Sequence, residues 1–171
     1  YRPPGRGTDQ SKGNLRVNQA ATELQDLYRE LILDHSRNPR HFGRLEDATH
    51  SATGINPLCG DKLRLYIRVD DAGNIESTQF EGSGCAISMA SASLMTDAIT
   101  NAPVDEAEAC VSEITARLTT GQPEPAISTR LRMLAALDGV REFPGRVKCA
   151  TLAWHTLHAA LNNDSIPATT E

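Results

Sequence analysis

Three short stretches carry the residues able to do chemistry. In Asn56-Pro57-Leu58-Cys59-Gly60-Asp61 a thiol and a carboxylate stand two positions apart, with a glycine between them. Cys85 follows Gly82-Ser83-Gly84, and Cys149 follows Arg146-Val147-Lys148. Zinc accepts cysteine sulfur and aspartate oxygen together in a tetrahedral site. Cys59, Asp61, Cys85 and Cys149 therefore form a candidate zinc site of three thiols and one carboxylate. A carboxylate is a harder ligand than a fourth thiolate, which predicts an exchangeable position rather than a sealed structural site. The spacings are long and include no CxxC pair, so spacing alone is only suggestive. Taken by itself, Asp61 reads as a turn or strand-capping aspartate, and its thiol neighbours give it the metal reading.

These residues fall at the edges of predicted elements. Cys59 lies in a loop just before a strand, Cys85 at a strand-to-helix junction, and Cys149 in the first turn of the last helix. A helix N-terminus carries partial positive charge and free N–H groups, which favour a thiolate. Glycines beside Cys85 let backbone approach a bound ion, and Arg146 and Lys148 add positive charge near Cys149. Cys110 differs, since it falls on the apolar stripe of its helix and reads as a small core residue. His35, His41, His50, His155 and His158 read as exposed helix or loop residues, without the two-histidine spacing of a zinc protease. The chain contains no GxSxG, Walker loop or GxGxxG.

The elements follow from periodicity. Thr22-Glu23-Leu24-Gln25 fits a capping box, and Leu24, Leu27, Tyr28, Leu31 and Ile32 continue it as an amphipathic helix that Asn38-Pro39 ends. Residues 40–58 read as loop and a short strand. Leu63, Leu65, Ile67 and Val69 alternate with polar residues and Tyr66, as in a strand with one buried face. Asp71-Ala72-Gly73-Asn74 turns it back into Ile75 to Phe80. Helices then follow on the stripes Ile87, Ala90, Leu94, Ala98; Ala107, Cys110, Val111, Ile114, Leu118; Ile127, Leu131, Leu134, Leu137, closed by Gly139; and Ala150, Trp154, Leu157, Leu161, starting near Arg146. The order helix, strands, helices predicts an α+β fold with a small antiparallel sheet of about three strands covered on one face.

The 171 residues suit one domain. Hydrophobic content of 39% allows a single core, and 4% aromatics make it mostly aliphatic. A net charge of −5 argues against nucleic acid, which demands a basic stripe. No apolar run approaches the ~18 residues of a membrane span, and no secretory segment opens the chain. Residues 1–21 are almost without apolar side chains and read as a flexible tail. Residues 22–163 read as the domain and 164–171 as a second tail. Four cysteines permit two disulfides, but a cytoplasmic setting with reduced thiols is the expectation, where clustered cysteines suggest metal or catalysis.

The stretches Asn56 to Asp61, Gly82 to Ser93 and Val147 to Trp154, with Leu27-Tyr28 and Asp34 to Arg40 in the first helix, resemble the IscU-like (NifU N-terminal-like) family of iron–sulfur cluster assembly proteins. The resemblance covers about residues 24–162. Two details are similar to its SufU branch: the stretch between Cys85 and Cys149 is longer than in the scaffold branch, and Lys148 stands where that branch has a histidine. Phe143 to Lys148 also replaces the scaffold branch's chaperone-binding segment. The resemblance implies an IscU/SufE-like α+β fold, and zinc held by Cys59, Asp61, Cys85 and Cys149. It implies a SufS-type pyridoxal-phosphate cysteine desulfurase as partner, with sulfur passing to downstream iron–sulfur scaffolds or apo-proteins. Cys59, on a loop able to swing, is the expected acceptor, with Arg146 steadying its thiolate. The alternative is a scaffold assembling a [2Fe–2S] cluster on the same residues.

Overall fold

The computed structural model describes residues 10–120, 129–164 and 166–170. In chain order they form α1 (Gln10–Arg37), β1 (His50–Asn56), β2 (Asp61–Val69), β3 (Ile75–Ser83), α2 (Ala86–Ile99), α3 (Val104–Thr120), a 3₁₀ helix (Thr129–Glu142), α4 (Pro144–Leu161) and β4 (Ala168–Thr169). The α+β class holds.

The strands follow from alternation. Leu63, Leu65 and Ile67 on β2, with Ile75 and Phe80 on β3, are buried, while Lys62 and Arg64 face outward. This inner face packs against α2 and α4. β1 and β3 pair antiparallel with β2. The sheet differs from the expected three strands: β4 adds to β1 in parallel, giving the order β3-β2-β1-β4. The predicted C-terminal tail thus supplies a strand, because β1 would otherwise present an open edge to solvent. Two residues are too few to leave a periodic signal.

α1 also departs from expectation. It begins at Gln10, so Thr22 lies inside the helix and does not cap it. Residues 10–21, expected in a flexible tail, are helical, and residues 1–9 lie outside the described residues. Gln, Lys, Leu, Arg and Ala are all good helix formers, and low hydrophobicity alone does not oppose a helix.

The segment after α3 follows a tighter period than an α-helix. Leu131, Leu134, Leu137 and Val140 are buried at intervals of three, the repeat that stacks side chains on one face of a 3₁₀ helix. Gly139 lies within this run instead of closing it, and Ile127 lies outside the described residues. Arg117 of α3 grips Asp138 through two hydrogen bonds of 2.7 and 2.6 Å, which fastens the segment to the helical layer. The core is mostly aliphatic, with Trp154 and Phe80 fully buried within it. No helix among the described residues is long and apolar enough to cross a membrane.

Candidate metal centre

Three element boundaries meet at one end of the sheet. The first is the turn between β1 and β2, where Asn56 pairs with Asp61. Gly60 N–H donates to the Asn56 carbonyl at 2.9 Å, and Leu58 N–H donates to Asn56 Oδ1 at 3.3 Å. Gly60 has φ of +72°, a conformation that glycine adopts without a Cβ penalty. The tight turn lifts Cys59 onto the surface while Asp61, opening β2, is 1% exposed.

The second boundary joins β3 to α2. Cys85 is the N-cap of α2, and its sulfur accepts from Ser88 N–H at 3.5 Å. Its own N–H donates to Asp61 Oδ1 at 3.0 Å. A Cβ on Gly84 would lie 2.8 Å from Asp61 Oδ1, so only glycine lets this backbone come so near the carboxylate. The third boundary is the start of α4, which places Cys149 beneath the other two with no solvent exposure.

The ligand atoms of Cys59, Asp61 and Cys149 lie within 4.8 Å of one another. Cys149 Sγ donates to Cys59 Sγ at 3.6 Å. Cys85 falls outside that tight set, its sulfur turned to cap α2, yet its thiol interacts with Cys149. Among the described residues Asp61 Oδ2 is buried without a hydrogen-bond partner. A buried carboxylate oxygen left unpaired costs free energy, and a divalent cation between it and the two thiols would remove that cost. The donor set suits zinc chemically: sulfur from cysteines, oxygen from one carboxylate.

Electrostatics here run against the expectation for a helix-start thiol. α4 begins at Pro144, so Cys149 sits in its second turn rather than its first. Burial pushes the Cys149 thiol well up, and the neighbouring Asp61, Cys59 and Cys85 add to the shift. Burial outweighs the helix terminus because the sulfur is fully enclosed. A bound cation inverts this balance, since a coordinating thiol is deprotonated outright. The Arg146 guanidinium is exposed at the start of α4, and the nearby Cys85 and then Cys149 hold its pKa above the usual value.

The remaining predicted residues divide. Cys110 is buried on the apolar stripe of α3, as expected. His35 is 4% exposed instead of solvated, with Nδ1 2.7 Å from Ser93 Oγ. The small residues of α2 let α1 close over it there. His155 is half-buried rather than exposed. Asn56, not among the expected site residues, is fully buried, and its Nδ2 donates to Cys149 Sγ at 3.7 Å. Before a proline it reads as a turn former, and only its buried strand partner shows that it faces inward.

Residues 27–163 match the family described as NifU-like N terminal domain. A zinc-dependent sulfurtransferase SufU from Bacillus subtilis (strain 168) is 44% identical over 134 residues, covering 78% of this chain and 88% of that protein. An iron–sulfur cluster assembly scaffold protein IscU from Streptococcus pyogenes serotype M1 is 39% identical over 146 residues, covering 85% and 89%. A crystal structure described as a candidate iron–sulfur cluster assembly scaffold protein for the SUF system, from Fervidobacterium islandicum AW-1, superposes with a TM-score of 0.71 at 33% identity, covering 77% of this chain and 94% of that one. Motifs, fold and these likenesses agree, and the chain belongs to the NifU-like N-terminal domain family.

Proposed function

We propose that this chain serves iron–sulfur cluster biogenesis as a zinc-dependent sulfurtransferase, accepting persulfide sulfur on Cys59 from a SufS-type pyridoxal-phosphate cysteine desulfurase. The observation that carries the reading is Asp61: a buried carboxylate with an unpaired oxygen, facing one exposed and one buried thiol on different elements. Cys59, Asp61, Cys85 and Cys149 would hold the zinc. When bound, zinc keeps its thiolate ligands deprotonated at neutral pH.

The chain's own residues divide the work. Cys59 is exposed at the tip of its turn, so a partner's persulfide can reach it, whereas Cys149 is enclosed. The Cys59 thiolate attacks the outer sulfur of the partner's persulfide. A new S–S bond forms at Cys59, and the partner's cysteine departs as a thiolate with the electron pair. Arg146 is exposed beside Cys85 and Cys149 rather than against Cys59, and offers a fixed positive charge at the edge of the site. Cys85 N–H and Gly84 hold the Asp61 carboxylate in place. Sulfur then passes to a downstream scaffold or apo-protein.

The relative at 44% identity is named a zinc-dependent sulfurtransferase, which supports this reading. Other relatives are named scaffold proteins, and a [2Fe–2S] cluster assembled on the same residues is the second reading. The test is mass mapping of the full chain after incubation with a cysteine desulfurase and cysteine. A mass gain of one sulfur on the Cys59 peptide is expected, and its absence in Cys59→Ala. Normal loading of Cys59→Ala would overturn the assignment.

A further inference from the structure

The exposed thiol proposed to carry sulfur lies in contact with a second, buried thiol. Cys149 Sγ is 3.6 Å from Cys59 Sγ, and Asn56 Nδ2 donates to the Cys149 sulfur at 3.7 Å. Asn56 has no freedom to leave. It is fully buried, and its Oδ1 is engaged by Leu58 N–H, which fixes which end of the amide faces sulfur. The same residue's carbonyl accepts Gly60 N–H, so one residue braces the Cys59 turn against Cys149. The inner sulfur of a Cys59 persulfide would be the atom nearest Cys149, while its outer sulfur extends from an exposed position.

We propose that the metal-free chain has a second activity: Cys149 resolves a Cys59 persulfide and discharges its sulfur as sulfide. The proposal rests on Cys59 carrying a persulfide, but not on how the sulfur arrives. The Cys149 sulfur forms a bond to the Cys59 sulfur, and the bond from Cys59 to the outer sulfur breaks. The outer sulfur leaves with the electron pair and takes the Cys149 proton. The products are a Cys59–Cys149 disulfide and hydrogen sulfide. The Cys149 sulfur is oxidised, the outer sulfur is reduced, the Cys59 sulfur exchanges one S–S bond for another, and no other oxidant or reductant is required. An external dithiol returns the disulfide to two thiols. Two reacting groups held in contact react far faster than the same groups free in solution, and the exposed glycine turn around Cys59 supplies the short movement that bond formation needs. Metal occupancy then separates two fates of one sulfur: passage intact when the thiols are engaged, release as sulfide when they are not.

The test avoids the desulfurase, so its failure is distinct from failure of the proposed transfer. The full chain is stripped of metal with a chelator, treated briefly with inorganic polysulfide and desalted. Sulfide is then measured with a bimane reagent, and disulfides are mapped by mass spectrometry. The expected result is about one sulfide released per Cys59–Cys149 disulfide formed, and loss of both products in Cys149→Ser. Because that variant removes a buried thiol, Asn56→Ser is a second probe. Its hydroxyl can still accept from Leu58 N–H but cannot reach Cys149, and disulfide formation should slow severalfold. A Cys59 persulfide that persists, a persulfide that moves to Cys149, or no Cys59–Cys149 disulfide in the unmodified chain would each overturn the proposal.

Discussion

Cys110 and Cys149 are both buried cysteines on helices, 4% and 0% exposed. Burial pushes both thiols above their ordinary pKa. By exposure and proton affinity alone the two would be judged alike. Their neighbours differ. Cys110 shares its stripe with Ala107, Val111 and Ile114, all within one regular helix. Cys149 meets Cys59, Asp61, Cys85 and Asn56, which come from the ends of three other elements. The contrast teaches that chemistry here comes from convergence of boundaries, where turns and helix starts can hold polar groups that a helix interior would exclude. A buried thiol without such company is packing.

Substitutions around the two thiols test this contrast. The largest effect is expected from Asp61→Ala, which removes the unpaired buried oxygen. Zinc affinity, measured by competition with a chromophoric chelator, should fall on the order of 100-fold, while Cys110→Ala should leave it unchanged. Equal losses in the two variants would erase the distinction. Next comes Gly84→Ala, whose new methyl would meet Asp61 Oδ1 at 2.8 Å. Displacement of the carboxylate should weaken zinc about 10-fold. Gly139→Ala, with nothing within 4 Å of the added carbon, serves as the paired control in the 3₁₀ segment and should not affect zinc.

Smaller effects belong to the packing thiol. Cys110→Ala should cost about 1 kcal/mol of stability in urea unfolding, with no change in sulfur loading. The last prediction concerns pH in the metal-free chain. The Cys110 pKa is raised in the folded state, chiefly by burial. Its contribution to stability is therefore complete below the ordinary thiol range and is lost as pH rises through the folded value. Unfolding free energy should decline less steeply on the alkaline side in Cys110→Ala than in the unmodified chain. An identical slope would mean that Cys110 is not protected by burial.

Much of this was legible in the sequence for physical reasons. The alternation in β2 and the stripes of α2 and α3 are direct consequences of burial on one face, and the class of fold follows from their order. The candidate ligands stood out because Cys59 and Cys85 interrupt those patterns at their edges, while Cys149, expected at a helix start, lies one turn further in. What escaped depended on weaker or longer-range signals. β4 is too short for a period, and its pairing with β1 is set by tertiary closure of the sheet. The helical residues 10–21 of α1 have propensity without an apolar face. The burial of His35 depends on Ser93, distant in sequence. Asn56 needed its strand register with Asp61 before its inward direction was apparent. The raised pKa of Cys149 could not follow from helix position, because enclosure by other elements decides it.

Sulfur acceptance is read from desulfurase turnover on cysteine, measured with and without the zinc-loaded chain and with no iron present. A large rise in turnover that vanishes in Cys59→Ala is expected, because an acceptor clears the persulfide from the desulfurase. No rise, with activity appearing only as a coloured cluster once iron is supplied, would contradict the sulfurtransferase reading and establish a scaffold instead.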